Sequence, residues 1–412
     1  MSRPAFATLP SAEWDERGPA VPRPVGLIWA LLFFNGLAFS LSPELPLIVP
    51  IPSVAGKLLT QGALALALLL ALTVNREHLV RPNLFLGLMT ILAASSLMIS
   101  IRLAAGYGSV FRAVRFMAFL GVLWLVTRWW QRANLTFVRF HLRCLIAACG
   151  TVVLGALISP GGALGVDGRL AGRLWPIQPP QVAHYAAVAA GIAFVLWLAG
   201  ALAPRAAALI GGGGVVLVLL TETRTAMFGL IAGLFVATLS LLVARRRARR
   251  AVGIALIVVP LGLLVFAPAA SEWFSRGQSR EEISQLTGRT KVWDLITAEH
   301  RSGLARWFGS GLSNKSFNGL PIDNSWYAVY VEQGVFGDLL VALAILSLLV
   351  SAVIRPPGSL TAVALFLVVY CIVASFTETG QGDASPYLLD LALAASLLVP
   401  AVPESGRSRL EP

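Results

Sequence analysis

Three polar segments interrupt an otherwise apolar chain, and their residue types suit work on an anionic substrate. The first is Thr221-Glu222-Thr223-Arg224-Thr225-Ala226. The Arg224 guanidinium is a planar fork of donors that matches phosphate oxygens. The plainer reading is an arginine snorkelling from a helix end to the membrane interface. The second is Thr287-Gly288-Arg289-Thr290-Lys291-Val292-Trp293. Thr287 suits the cap of a short amphipathic helix, with Val292, Trp293 and Ile296 on its apolar face. Arg289 then lies in the first turn, where a bound diphosphate also meets free backbone N–H groups. The plainer reading is an interface-lying helix with solvated basic residues. The third comprises Gly309-Ser310-Gly311-Leu312, Asp323-Asn324-Ser325-Trp326 and Glu332-Gln333-Gly334-Val335-Phe336-Gly337. Asp323 or Asn324 is a good helix cap, and Asp323 is also a candidate base at the membrane surface.

These segments are positioned by a hydrophobic framework. Of the 412 residues, 57% are hydrophobic and 13% charged, whereas a soluble domain carries about 25% charged residues. Apolar runs near the ~20 residues that span a bilayer recur along the chain. Candidate spans lie near 25–42, 54–74, 84–102, 109–127, 141–158, 183–203, 206–222, 225–244, 251–268, 335–354, 359–377 and 386–403. The pattern predicts an all-α fold, a polytopic transmembrane helical bundle of about twelve helices. The bundle domain, 25–403, includes one large extracytoplasmic loop, 269–334, that contains short helices. Residues 1–24 and 404–412 are expected to be cytoplasmic tails. Residues 1–24 lack a cleavable signal, so the first apolar run is expected to remain as a helix. The run Gly211 to Gly214 weakens the span it opens unless neighbours pack closely against it.

Basic loops orient the framework. Arg76, Arg81, Arg128, Arg132, Arg139, Arg143, Arg205, the Arg245–Arg250 cluster and Arg355 fall on one side, which the positive-inside rule makes cytoplasmic. The formal net charge of +12 is explained by that orientation rather than by nucleic acid. Other basic residues break the rule. Arg102, Arg112 and Arg115 flank an outside turn, Arg169 and Arg173 sit in an outside loop, and Arg224 opens a span at its outer end. Basic residues kept at an outer membrane face point to an anionic ligand there. Cys144, Cys149 and Cys371 lie inside apolar runs, with neither a disulfide framework nor zinc-ligand spacing. No carboxylate pair outside is suited to Mg²⁺.

The order of these segments resembles the bacterial O-antigen ligase and O-antigen polymerase family of membrane glycosyltransferases. The resemblance rests on Thr223-Arg224-Thr225-Ala226, on Gly288, Arg289 and Trp293, on Gly309-Ser310-Gly311, and on Asp323-Asn324. It continues through Glu332, Gly334 and Gly337 to Thr377-Glu378, and covers roughly residues 165–390. It implies a donor glycan on polyprenyl diphosphate, attack by an acceptor sugar hydroxyl on the anomeric carbon, and departure of the diphosphate lipid. Arginines would stabilise the leaving group, and no metal or other cofactor is required. Arg224, Arg289 and Asp323 are the expected catalytic residues. Arg112, Arg115, Arg169, Arg173, Glu222, His300, Asn324 and Glu378 are expected to bind substrate. Partners are the lipid-linked glycan, an acceptor glycan or lipid and the bilayer, with other polysaccharide-assembly proteins as further candidates. Ligases of this family have histidine where this chain has Asp323, a departure that leans toward a polymerase-like member. His184 and His300 also fall outside in this topology, and His184 reads as an ordinary helix-end residue. The competing readings are a transporter or flippase for lipid-linked sugars, which needs ionisable residues deep in several spans, and a non-catalytic scaffold.

The orientation is directly testable in a cysteine-free background. A single cysteine within 245–250 should resist an impermeant thiol reagent added outside, while one within 269–334 should react. Reaction within the arginine cluster would overturn the topology.

Overall fold

The computed structural model describes residues 21–37, 39, 47–103, 105–130, 135–165, 168–275, 289–301 and 303–399. In chain order its helices are α1 (Arg23–Gly36), α2 (Ser53–Val74), α3 (Leu84–Arg102), α4 (Tyr107–Val126), α5 (Thr136–Ile158), α6 (Pro160–Ala163) and α7 (Pro179–Ala199). They continue with α8 (Pro204–Leu220), α9 (Arg224–Leu242), α10 (Arg246–Ser275), α11 (Arg289–Ala298) and α12 (Gly303–Phe308). The last three are α13 (Ser325–Ile354), α14 (Ser359–Ser375) and α15 (Pro386–Leu397). A small antiparallel hairpin, β1 (Ser316–Phe317) and β2 (Leu320–Pro321), precedes α13.

Helix occurs at each expected span, but the helices differ in length. Seven are long and apolar enough to cross a membrane, or eight if the bent α10 counts as one span. α8, α14 and α15 are shorter apolar helices, and α1 has 14 residues. These are the helices of a multi-pass membrane protein. Their outward faces carry exposed Leu58, Leu69, Ile254 and Leu264, a surface suited to lipid rather than water. α10 has Pro260 and Pro268 inside it and bends by 57°, as expected where proline removes a backbone donor and clashes with the preceding turn.

Small residues set the packing at the centre. α7 is rich in alanine and almost wholly buried, and the run Gly211–Gly214 lies against it. A methyl at Gly214 would come within 2.6 Å of the Ala186 carbonyl, and one at Gly211 within 2.9 Å of the Phe194 ring. Gly212 and Gly213 have no such neighbour. The close-packing condition is therefore met on one face only, and the backbone there takes a π turn over Ala208–Gly212. α9 packs most extensively on α14 through the same device, with Gly229 against the Tyr370 ring and Gly233 against Phe366.

Loop contacts fall into two groups. One joins Arg128 to Glu77 at 3.1 Å and Arg81 to the Trp130 carbonyl at 2.6 Å. The other lies among 159–178, 221–223, 289–324 and 376–385. Of the segment expected as one large loop, 269–275 belongs to α10, and Thr287-Gly288 lies outside the described residues. The loop is fixed to the bundle backbone on backbone. Ser310 N–H donates to the Val331 carbonyl at 3.1 Å, and Gly311 N–H to Glu332 at 2.9 Å. Glu332 in turn accepts from Ser313 N–H at 2.9 Å, Ser313 Oγ at 2.8 Å and Lys315 N–H at 3.1 Å.

Gly334 kinks α13 at φ 70°, ψ −172°, and a methyl there would lie 2.4 Å from the Trp307 carbonyl carbon. That conformation is essentially restricted to glycine and costs other residues roughly 1–3 kcal/mol before any clash. Gly334→Ala should lower the melting temperature of the purified protein clearly. Gly87→Ala, in open space on α3, should leave it unchanged or raise it.

Candidate functional site

Asn324 builds the site. Its Oδ1 accepts from Trp326 N–H at 2.9 Å and Tyr327 N–H at 3.1 Å, capping α13. Its Nδ2 donates to the Phe376 carbonyl at 3.0 Å, and Ser325 Oγ donates to the Glu378 carbonyl at 2.8 Å. The start of α13 is thereby joined to the turn after α14. Because Asn324 is the cap, the neighbouring Asp323 is left free for other work. Its side chain is 45% exposed, and Oδ2 lies 3.2 Å from Arg289 Nε. Arg289 is the first residue of α11, whose Val292 and Ile296 bury against Phe317, Ile322, Ala328 and Val331. Trp293 stacks on Tyr327 with ring centroids 5.6 Å apart.

The other wall comes from the turn between α8 and α9. Arg169 Nε donates to the Thr221 carbonyl at 2.9 Å, and its Nη2 to Thr223 Oγ1 at 3.1 Å. Glu222 takes a left-handed backbone, φ 49°. Arg224 opens α9 and donates from Nη2 to the Ser275 carbonyl at 3.1 Å. Thr225 and Thr377 share a hydroxyl–hydroxyl hydrogen bond, which ties the start of α9 to the same post-α14 turn.

Glu378 lies where these walls meet. Burial pushes its carboxyl up to about 7, with Asp323 adding in the same direction, while Arg289 and Arg169 pull it down. A partly buried carboxyl near neutrality, bracketed by two arginines, has the properties of a general acid–base group. Arg224 and Arg289 both stand at helix N-termini, where the dipole disfavours a cation and favours an anion.

Other expected residues fall elsewhere. Arg115 donates to the Ala384 carbonyl and so supports the 376–385 turn. Arg112 is half-buried one helical turn earlier on α4. His300 is exposed beyond the end of α11, roughly 15 Å along that helix axis from Arg289. Arg173 is buried, 8% exposed, on the far side of its loop against Gly155 and Gly162. Among the described residues, no group of three His, Cys, Asp or Glu side chains is placed to hold a metal ion. Lys315 Nζ, 3.7 Å from Asp383 Oδ2, adds a bridge from the loop to the post-α14 turn that sequence spacing gave no reason to expect.

His184 requires a correction, because α7 begins at Pro179 and carries this residue inward. The ring is buried, with Nε2 3.3 Å from Asp390 Oδ2 and Nδ1 3.2 Å from the Tyr370 hydroxyl. His141 Nε2 is 2.8 Å from Asp390 Oδ1, and Trp29 Nε1 donates to His141 Nδ1 at 3.3 Å. This cluster joins α1, α5, α7, α14 and α15. Asp390 stands in a run of leucines and alanines, and its single charge was the only signal that could have exposed it.

No known family model matches the sequence, and no curated protein does.

The Glu378 environment predicts a signed pH dependence. Its folded value, about 7, lies above the ordinary 4.5, so the folded state favours the protonated carboxyl. That contribution is complete below about pH 4.5, falls as pH rises through 7, and is gone above it. Glu378→Gln, neutral throughout, should gain melting temperature relative to the unsubstituted protein between pH 5 and pH 8. A pH-independent difference would contradict this environment.

Proposed function

We propose that the protein is a membrane glycosyltransferase that transfers or polymerises glycan carried on polyprenyl diphosphate, for surface polysaccharide assembly. In this reading it works at the outer face of the bacterial cytoplasmic membrane, all twelve segments cross, and both termini are cytoplasmic. It is closer to a polymerase than to a ligase. The observation that carries the proposal is the meeting of Arg169, Arg289 and the start of α9 around one carboxyl, Glu378, at the end of a membrane bundle.

The chemistry follows from that geometry. The acceptor sugar hydroxyl gives its proton to the Glu378 carboxylate as its oxygen bonds to the anomeric carbon. The bond from that carbon to the diphosphate oxygen breaks, and its electron pair leaves with the lipid diphosphate. Arg224 and Arg289 meet the charge that grows on the leaving group. Asp323, expected from sequence to be the base, is committed to Arg289 at 3.2 Å and is better suited to orienting that guanidinium. Glu378 is the better base because it is less solvated and titrates closer to neutrality.

A transporter for lipid-linked sugars is the second reading. One observation favours it: the His141–Asp390–His184 cluster lies inside the bundle, where ionisable groups often mark a translocation path.

Purified protein in liposomes with lipid-linked oligosaccharide separates the two. Glycan growth supports the transferase, and movement without bond formation supports the transporter. Arg224→Lys and Arg289→Lys should each lower turnover by about 10²-fold, since lysine lacks the fork. Glu378→Gln should abolish turnover, whereas Asp323→Asn should retain a measurable part of it. Full activity in Glu378→Gln with none in Asp323→Asn would return the base to Asp323.

A further inference from the structure

The loop between α6 and α7 carries two arginines facing opposite ways. Arg169 turns toward Thr221 and Thr223 and belongs to the site above. Arg173 turns toward the end of α5. Its Cβ would lie 3.0 Å from a methyl added at Gly155, and its Cζ and Nη2 2.7 and 2.6 Å from one added at Gly162. Ser159 Oγ would lie 2.9 Å from that second methyl. Two glycines and a serine therefore form the cradle in which the guanidinium rests.

No group of the cradle accepts from Arg173 Nε or Nη1. Arg173 is 8% exposed, and its Nε and Nη1 are enclosed without a hydrogen-bond partner. Two residues on, Trp175 Nε1 is likewise buried without one. Among the described residues, no carboxylate pairs with Arg173. A permanently charged guanidinium without partners is strongly unfavourable in a membrane bundle, and nearly all buried donors in folded proteins are satisfied. The backbone holds the residue there regardless. The Arg173 carbonyl accepts from Ile48 N–H at 3.0 Å, and its neighbours Ala171 and Gly172 donate to Ala163 and Ile177.

We propose that Arg173 and its Gly155–Ser159–Gly162 cradle form a phosphate-binding site separate from the Glu378 site. An oxyanion supplies the missing acceptors, and a guanidinium fork can engage phosphate through two parallel hydrogen bonds. The phosphate is either that of an anionic lipid headgroup or a soluble one. The site needs no glycosyl transfer, so it stands or falls apart from the functional reading above.

The test uses the full chain purified in neutral detergent and phosphate-free buffer. Inorganic phosphate should raise its melting temperature beyond chloride at matched ionic strength, by mass action on the folded state. Arg173→Gln should abolish that rise. Without phosphate, this variant should be at least as stable as the unsubstituted protein, because it deletes an unpaired buried charge. Arg173→Lys keeps the charge and should lose most of the response, which provides a second readout if the glutamine variant does not fold. Nanodiscs identify the source. If phosphatidylglycerol stabilises the protein over phosphatidylcholine and removes the phosphate effect, the ligand is a lipid headgroup. An equal phosphate response in both lipids indicates a soluble ligand. Absence of any Arg173-dependent response to phosphate or phosphatidylglycerol overturns the proposal, and leaves the guanidinium satisfied by water alone.

Discussion

The candidate site depends on one side chain, Asn324, acting in two directions. Its oxygen caps α13 while its amide nitrogen holds the Phe376 carbonyl. Aspartate could perform the first task but has no donor for the second. A serine cap would likewise be too short to span both. This double use makes the start of α13 and the turn after α14 one unit, and that unit places Asp323 and Glu378 within electrostatic reach of each other and of Arg289. The bond between Thr225 and Thr377 then brings the start of α9 to the same unit.

The motifs seen in sequence acquire separate physical causes. Gly309 and Gly334 are needed because the loop and the kink of α13 meet through their backbones. A methyl at Gly309 would come within 2.2 Å of the Glu332 carbonyl carbon. Glu332 is a backbone clamp for residues 313–315 rather than a group aimed at substrate. The residues of the third polar segment thus divide between holding the loop down and shaping the candidate site. That division explains why glycines and a buried carboxylate accompany Asp323 and Asn324 so closely in the chain.

The helices were legible because their apolar runs are long and bounded by proline or polar caps, as at Pro179, Asn83 and Ser385. The shape of residues 289–324 was not legible, since the apolar face of the short helix α11 is buried only by packing against the hairpin and α13. Which of the singled-out residues lie near one another was partly readable. Arg169, Arg224, Arg289, Asn324 and Glu378 gather at one end, whereas Arg173, His184 and His300 do not join them. What sequence could not supply was direction. Arg169 and Arg173 are four residues apart in one loop, and only the contacts of their side chains, Arg169 with Thr221 and Thr223 and Arg173 against Gly155 and Gly162, show that they point to different sides. Asp323 and Asn324 posed the same problem, because either residue can cap a helix and only the structure tells which one does.

The depth of the ionisable groups bears on function as well as stability. His141, Asp390 and His184 link three helices through contacts of 2.8 and 3.3 Å, and Tyr370 and Trp29 bring in two more. The carboxylate thus faces two imidazoles in one compact cluster rather than lying along a continuous polar path. A translocation route needs successive sites that release what they bind, whereas a closed cluster holds the helices in register. The charges at the loop end differ in kind. Glu378 is partly exposed, its titration is shifted by neighbours on three separate elements, and among the described residues no ion pair holds its carboxyl the way Asp323 holds Arg289. Under the proposed reading, a group left adjustable in this way on a well-capped support suits proton transfer, and the interior cluster ties together the helices that carry it.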